Sequence, residues 1–158
     1  MNRFATFEIP VAPHVYKFLA SKYGDVYQVS QTDLLGIMII PYLTKKVNVI
    51  KRKPERKITD QTKTKTYTIS ISYDYFVRQG FYLSYDQLKF LGRIADRYFR
   101  EVLFSHVAIT AIDNPKSQMK SIVNFCEAYN IGVEDIDPRT LYRDFYRKRE
   151  DLHQNLEA

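Results

Sequence analysis

The chain has 158 residues, of which 45% are hydrophobic and 27% are charged. These proportions exclude a disordered or collagen-like chain, and the length is that of one domain, so residues 1–158 are expected to form a single domain. The formal net charge of +6 favours an anionic partner. The location of the positive charge is therefore the first question about function.

The cysteine content and the apolar runs exclude several classes of protein. Cys126 is the one cysteine, so neither an intrachain disulfide nor a four-thiolate zinc site can form. Residues 1–8 lack the long apolar core of a signal peptide. The most apolar run, residues 34–43, is about half the length of a membrane span. We expect a soluble, cytoplasmic protein with no membrane partner.

A short strand and a helix are predicted at the N-terminus. Phe7 and Ile9 alternate with polar neighbours, as in an extended segment. Pro13 suits the first position of a helix, and Gly24 suits the residue just past its end. The pattern therefore predicts a strand followed by a helix that starts at Pro13.

Residues 25–73 are expected to be mainly sheet. Residues 35–43 form either a buried strand or a short helix, because periodicity does not separate the two. Residues 64–73 alternate large side chains with threonine and serine, which is typical of an antiparallel strand with one exposed face. Together with the apolar residues of 47–50, this strand predicts an antiparallel hairpin with a long charged tip.

The second half of the chain is predicted to be helical. Three helices are expected there, and each begins near a residue that caps helices, namely Ser84, Asn114 and Asp137. Gln87 completes a capping-box pattern with Ser84. The predicted fold class is α+β, with a small antiparallel sheet and a basic β-hairpin in residues 1–83 and a helical half in residues 84–158.

Most of the positive charge lies between residues 45 and 65, which we call the basic segment. Its cations are Lys45, Lys46, Lys51, Arg52, Lys53, Arg56, Lys57, Lys63 and Lys65. Nine cations and the two carboxylates of Glu55 and Asp60 give +7, so the other 137 residues carry −1. A hairpin tip with this charge can lie along a phosphate backbone. The alternatives are a solvated loop and a clamp on an acidic protein partner.

A second group of cations lies on the last predicted helix. Arg139, Arg143 and Arg147 are spaced by four, so they form one stripe, which points away from Leu141 and Phe145. We call these three residues the arginine stripe. Arginines on the second helix after a turn can reach phosphates or guanine edges in the major groove. The alternative is a helix that packs on the core with a solvated arginine face.

Residues 115–150 therefore resemble a helix-turn-helix. This resemblance implies that the arginine stripe lies on the helix that docks on duplex DNA. The connection at residues 130–137 departs from the pattern, because it is longer than the usual three or four residues. Residues 133–136 are expected to form an extra helical turn, which would change the docking angle.

The two ends of the chain carry a broader resemblance. The N-terminal run from Ile9 to Gly24, which includes Pro10-Val11-Ala12-Pro13, and the C-terminal run from Thr140 to Arg147 are the segments concerned. Both are similar to the ends of uncharacterised small proteins from phages and mobile elements of Bacteroidetes. The resemblance implies a phage or mobile-element role and supplies no catalytic or binding residue.

No enzymatic site, metal or cofactor is expected. His14, His106 and His153 lie on separate segments, and no pair has the spacing of a metal site. The five glycines are too dispersed for a phosphate-binding loop. Cys126 falls on the inward side of an amphipathic helix, so a buried, inert thiol is expected there.

The leading hypothesis is a non-enzymatic nucleic-acid-binding protein that is regulatory or accessory to replication or packaging. The basic segment and the arginine stripe would contact nucleic acid in the host cytoplasm. The alternative is a structural or assembly protein, such as a virion component or an adaptor. In that case the 13 tyrosines and 10 phenylalanines would form a homo-oligomeric or partner interface, and the basic segment would bind an acidic protein.

Overall fold

The computed structural model describes residues 4–43, 64–79 and 83–157. They contain a mixed three-stranded sheet and six α-helices. In chain order they are β1 (Phe4–Val11), α1 (Pro13–Tyr23), β2 (Val26–Gln28), α2 (Leu34–Ile39), β3 (Lys65–Ser72), α3 (Tyr73–Gln79), α4 (Tyr85–Thr110), α5 (Gln118–Ala128) and α6 (Pro138–Glu157). Two 3-10 turns, Ile40–Leu43 and Pro115–Ser117, follow α2 and precede α5. The predicted α+β class is confirmed.

The predicted helices, one from Pro13 and three in the second half, are fewer than the six α-helices of the described residues. Helices α4, α5 and α6 form in the second half, and α1 forms from Pro13 as the sequence predicts. The difference comes from α2 and α3, two short helices that lie where mainly sheet was expected. Local capping and packing therefore convert part of the predicted sheet region into helix.

The sheet is mixed, whereas an antiparallel sheet was predicted. Strand β3 is central, with β1 antiparallel on one edge and β2 parallel on the other. Parallel strands need a long crossover connection. The chain between β2 and β3 is long enough for one and includes α2. In the predicted hairpin, residues 47–50 were the partner of β3, and they lie outside the described residues.

The burial pattern of β3 follows the predicted alternation except at Ser70, which is buried although it belongs to the face predicted to be exposed. Tyr67, Ile69 and Ile71 are buried on one side, as expected, whereas Tyr73 is exposed and begins α3. The hydroxyl of Tyr67 donates to the carbonyl of Gly24 at 2.7 Å, which connects the strand to the end of α1. Gly24 has a φ of +82°, and this left-handed conformation favours glycine.

The apolar run at residues 34–43 is helical because its start is capped. Asp33 accepts a hydrogen bond from the Gly36 backbone N–H at 2.9 Å and another from the Tyr27 hydroxyl at 2.7 Å. Gly36 packs closely on the preceding loop, since a Cβ there would lie 1.7 Å from the Ser30 carbonyl oxygen. The cap decides between strand and helix, which periodicity left open.

The core is built around an aromatic cluster that joins α1, α4 and α5. Phe18 of α1 is fully buried. Its ring centroid lies between 4.9 and 6.2 Å from those of Tyr98, Phe99, Phe125 and Tyr129. These tilted, edge-on and offset stacked contacts suit aromatic quadrupoles and remove a large apolar area from water. The helical half is thereby fixed to the N-terminal part.

We expect Gly92→Ala to destabilise the fold, because α4 packs closely on β1 at this position. A Cβ at Gly92 would lie 2.0 Å from the Pro10 carbonyl oxygen, which belongs to the backbone and cannot rotate away. Overpacking of this kind costs about 1–3 kcal/mol. Urea unfolding of the two chains measures the difference, and equal midpoints would show that α4 and β1 are not packed this closely.

Candidate nucleic-acid interface

The end of α5 and the start of α6 position the arginine stripe. Helix α5 ends in a Schellman motif: Asn130 has a φ of +53°, and the Ile131 N–H donates to the Cys126 carbonyl at 2.8 Å. Helix α5 therefore ends where the predicted connection at residues 130–137 begins. Helix α6 begins at a capping residue, because Asp137 accepts a hydrogen bond from the Arg139 backbone N–H at 2.8 Å.

The connection between α5 and α6 contains one hydrogen-bonded turn. The backbone N–H groups of Asp135 and Ile136 both donate to the Gly132 carbonyl, at 3.0 and 3.3 Å. This agrees with the extra turn expected at residues 133–136. The two helices are in contact, but the turn makes their connection longer than that of a usual helix-turn-helix.

The three side chains of the arginine stripe are exposed, and α6 buries Leu141 and Phe145 on its other side. The stripe therefore points away from the core, as its spacing predicts. Within the described part of the chain none of the three guanidinium groups forms an ion pair. The one hydrogen bond in which a stripe side chain takes part there joins Arg143 to the Thr140 hydroxyl at 3.4 Å. Their charges are thus available to an external anion.

The neighbouring cations of α6 are engaged with the protein. Lys148 donates to the Glu101 carboxylate and lies over the Phe104 ring, 5.4 Å from its centroid. The Arg149 guanidinium lies 5.1 Å from the centroid of the Tyr146 ring. Lys148 thus has an acidic partner and Arg149 an aromatic one, whereas the arginine stripe has neither among the described residues.

A charged network anchors α6 to α4 and α1. Arg100 donates to Asp144 of α6 and, at 2.9 Å, to Asp96. His14 Nε2 of α1 lies 3.1 Å from the other Asp96 oxygen. Burial would raise the pKa of the Asp96 carboxyl, but the hydrogen bonds with His14 and Arg100 outweigh it and hold the pKa below its usual value. The arginine stripe is thus presented by a helix with a fixed position.

Of the nine cations of the basic segment, the structure describes Lys65. The other eight cations, Lys45, Lys46, Lys51, Arg52, Lys53, Arg56, Lys57 and Lys63, lie outside the described residues. Lys65 is exposed at the start of β3, and its ammonium lies 5.1 Å from the centroid of the Tyr16 ring. The basic segment therefore ends beside α1.

Asp135 shows that this end of the basic segment is close to the start of α6. Burial would raise the pKa of its carboxyl. The hydrogen bonds from Lys17 Nζ (2.5 Å) and the Gly132 N–H, and the charges of Lys17 and Lys65, hold the pKa below its usual value. Asp135 lies two residues before the Asp137 cap. Lys65 is thus near enough to the connection before α6 for its charge to act on Asp135.

The Lys17–Asp135 contact was not predicted, because the two residues are 118 positions apart and neither has a local signal for the other. A carboxyl whose pKa is lowered by folding stabilises the fold above its unfolded pKa of about 3.9, and this contribution is lost as the pH falls. We expect Asp135→Asn to destabilise the fold most at about pH 7 and less at about pH 3, where part of the carboxylate's contribution is lost. Urea unfolding at both pH values measures this, and an equal loss at both would contradict it.

Two of the residues considered for catalysis, Cys126 and His106, pack against other side chains of the fold. Cys126 is buried, and burial raises the pKa of its thiol to about 11, so the thiol is protonated at neutral pH. His106 is half-buried, with its ring centroid 5.4 Å from that of Phe125. Within residues 4–43, 64–79 and 83–157, no group of three or more histidine, cysteine or acidic side chains could hold a metal ion.

No helix among the described residues has the length and apolar composition needed to cross a membrane. Protein-family models, characterised proteins and solved structures contained no match to the chain.

Proposed function

We propose that the protein binds nucleic acid without catalysing a reaction, as a regulatory protein or an accessory to replication or packaging in a phage or mobile element. The observation that carries the proposal is the arginine stripe: three exposed guanidinium groups without an acidic partner in the described residues, on a helix anchored to the core. Phosphate is the natural ligand for such groups, because guanidinium and phosphate form paired, charge-assisted hydrogen bonds.

The length of the stripe suits a duplex backbone. Arg139 and Arg147 are eight residues apart, so their Cα atoms are separated by about 12 Å along the helix axis. A DNA duplex carries about seven phosphates over that distance. Lys65 is near enough to Asp135, in the connection before α6, for its charge to lower the pKa of that carboxyl, so the basic segment would add positive charge close to α6.

A titration of a fluorescently labelled DNA duplex with the full chain tests the proposal by fluorescence anisotropy. We expect binding at about 50 mM salt that weakens steeply by about 200 mM, because phosphate contacts release counterions. The same titration with an RNA duplex identifies the preferred nucleic acid. Absence of binding to either duplex at low salt would overturn the proposal.

A structural or assembly role is the second proposal, and exposed apolar residues favour it. Leu34, Ile37 and Tyr42 are each about half exposed, close to one another on α2 and the turn that follows it. A virion component or adaptor would use such residues to bind other proteins. Light scattering separates the two roles: a large multimer that does not bind nucleic acid favours assembly, and a monomer or dimer with salt-sensitive binding favours the first proposal.

A further inference from the structure

A groove between α2 and α4 has the properties of a docking site for another protein. It has a volume of about 430 Å³, and Ile37, Tyr42 and Phe90 are among the residues that line it. Arg93 and Arg97 of α4 also line it. We call this feature the α2–α4 groove. None of its lining residues belongs to the arginine stripe.

The first argument comes from the composition of α2. Its six residues, Leu-Leu-Gly-Ile-Met-Ile, include no polar side chain. Leu35 and Ile39 are buried against the fold, whereas Leu34 and Ile37 are 53% and 54% exposed. A helix that is apolar on all sides is normally buried on all sides. The outer face of α2 is thus suited to being covered by a partner.

The second argument comes from the aromatic residues of the groove. The rings of Tyr42 and Phe90 meet edge to face with centroids 4.7 Å apart, and both side chains remain exposed. They come from the turn after α2 and from α4, so they continue the apolar surface from one element to the other. Exposed aromatic side chains of this kind are enriched at protein interfaces.

The third argument is the charge beside the apolar surface. Arg93 and Arg97 are exposed, lie one turn apart and form no ion pair within the described residues. Arg100, the next basic residue of α4, is held between Asp96 and Asp144. The two groove arginines thus lack the acidic partners that Arg100 has. Carboxylates on a partner would complement them.

We infer that the α2–α4 groove docks a segment of another protein that carries apolar side chains flanked by aspartate or glutamate. A second copy of this chain is a poorer occupant, because no acidic residue of the described chain lines the groove and a symmetric dimer would place arginine near arginine. The inference rests on the second proposal, that these exposed residues bind other proteins, and names the chemistry of the partner; it does not depend on nucleic-acid binding.

Selection of random displayed peptides against the immobilised full chain tests the inference. We expect enriched peptides to combine leucine or aromatic residues with an excess of aspartate and glutamate. In solution, the best of them should bind the Arg93→Glu/Arg97→Glu variant about tenfold more weakly or worse. Both arginines are exposed and unpaired, so this variant should retain the melting temperature of the original chain. An Arg139→Glu/Arg143→Glu variant is the matched control and should bind the same peptides normally.

Several results would overturn the inference. The inference would be wrong if the selection enriched no groove-dependent peptide, or if the enriched peptides had no acidic excess. It would also be wrong if the peptides bound the Arg93→Glu/Arg97→Glu variant as well as the original chain. Self-association of the chain that Ile37→Asp abolishes would make a second copy the occupant. Loss of nucleic-acid binding on reversal of Arg93 and Arg97, without an effect on the peptides, would assign these two arginines to the phosphate-binding surface.

Discussion

Reversing the charge of two residues of the arginine stripe, in the variant Arg139→Glu/Arg143→Glu, is expected to weaken binding to duplex DNA about hundredfold at moderate salt. Both side chains are exposed and have no acidic partner in the described residues, so the variant should fold normally. Each lost phosphate contact should also reduce the salt dependence of log K by about one. Anisotropy titrations at several salt concentrations measure both effects.

The double variant Arg93→Glu/Arg97→Glu provides a matched control. It makes the same change of net charge, also at two exposed arginines one turn apart on a helix. If the arginine stripe contacts phosphate directly, this control should lose much less affinity. Equal losses in the two variants would show that DNA responds to the overall charge of the protein, and the proposed role of α6 would be wrong.

Phe18→Ala is expected to reduce the free energy of unfolding by about 3–5 kcal/mol. Phe18 is fully buried, and four aromatic rings of the described chain surround it, so truncation leaves a cavity between α1, α4 and α5. Helices α4 and α5 also support α6, but folded molecules of the variant should still bind DNA normally. Any loss of apparent DNA affinity should come from the unfolded fraction. Urea unfolding, followed by DNA titration at a temperature where the variant is folded, separates the two effects.

Phe90→Ala is the matched control for this core substitution. The Phe90 side chain is 38% exposed and contacts Tyr42 at the surface, so its truncation should cost less than about 1 kcal/mol. A cost close to that of Phe18→Ala would mean that Phe90 belongs to the core. The α2–α4 groove would then be a structural feature of the fold.

The helix ends were the part of the fold that the sequence predicted best, because their signals are local. Ser84 and Gln87 form the capping box at the start of α4, and Gly24 ends α1 in the left-handed conformation. The exposure of the arginine stripe was predictable for the same reason, since a spacing of four places side chains on one helix face. In each case the deciding contacts lie within about one turn of the residue concerned.

The sheet topology and the anchoring of α6 could not be predicted, because they depend on residues that are far apart in the chain. The parallel pairing of β2 with β3 joins Val26 to Thr68. His14 and Asp96 are 82 positions apart in the chain, and no local pattern marks either residue as the partner of the other. The helical form of α2 did have a local signal: Asp33 stands three residues before Gly36, which is the spacing of an N-cap contact.

The most direct test of the proposed function is to map the DNA-binding surface by NMR on the ¹⁵N-labelled full chain. On titration with a DNA duplex at low salt, we predict that the largest amide shifts occur at Arg139, Arg143 and Arg147 and at residues next to them on α6. The shifts should disappear when salt is added, because phosphate contacts are released. Shifts confined to the α2–α4 groove, or no shifts at all with excess duplex, would contradict the assignment of α6 as the phosphate-binding helix.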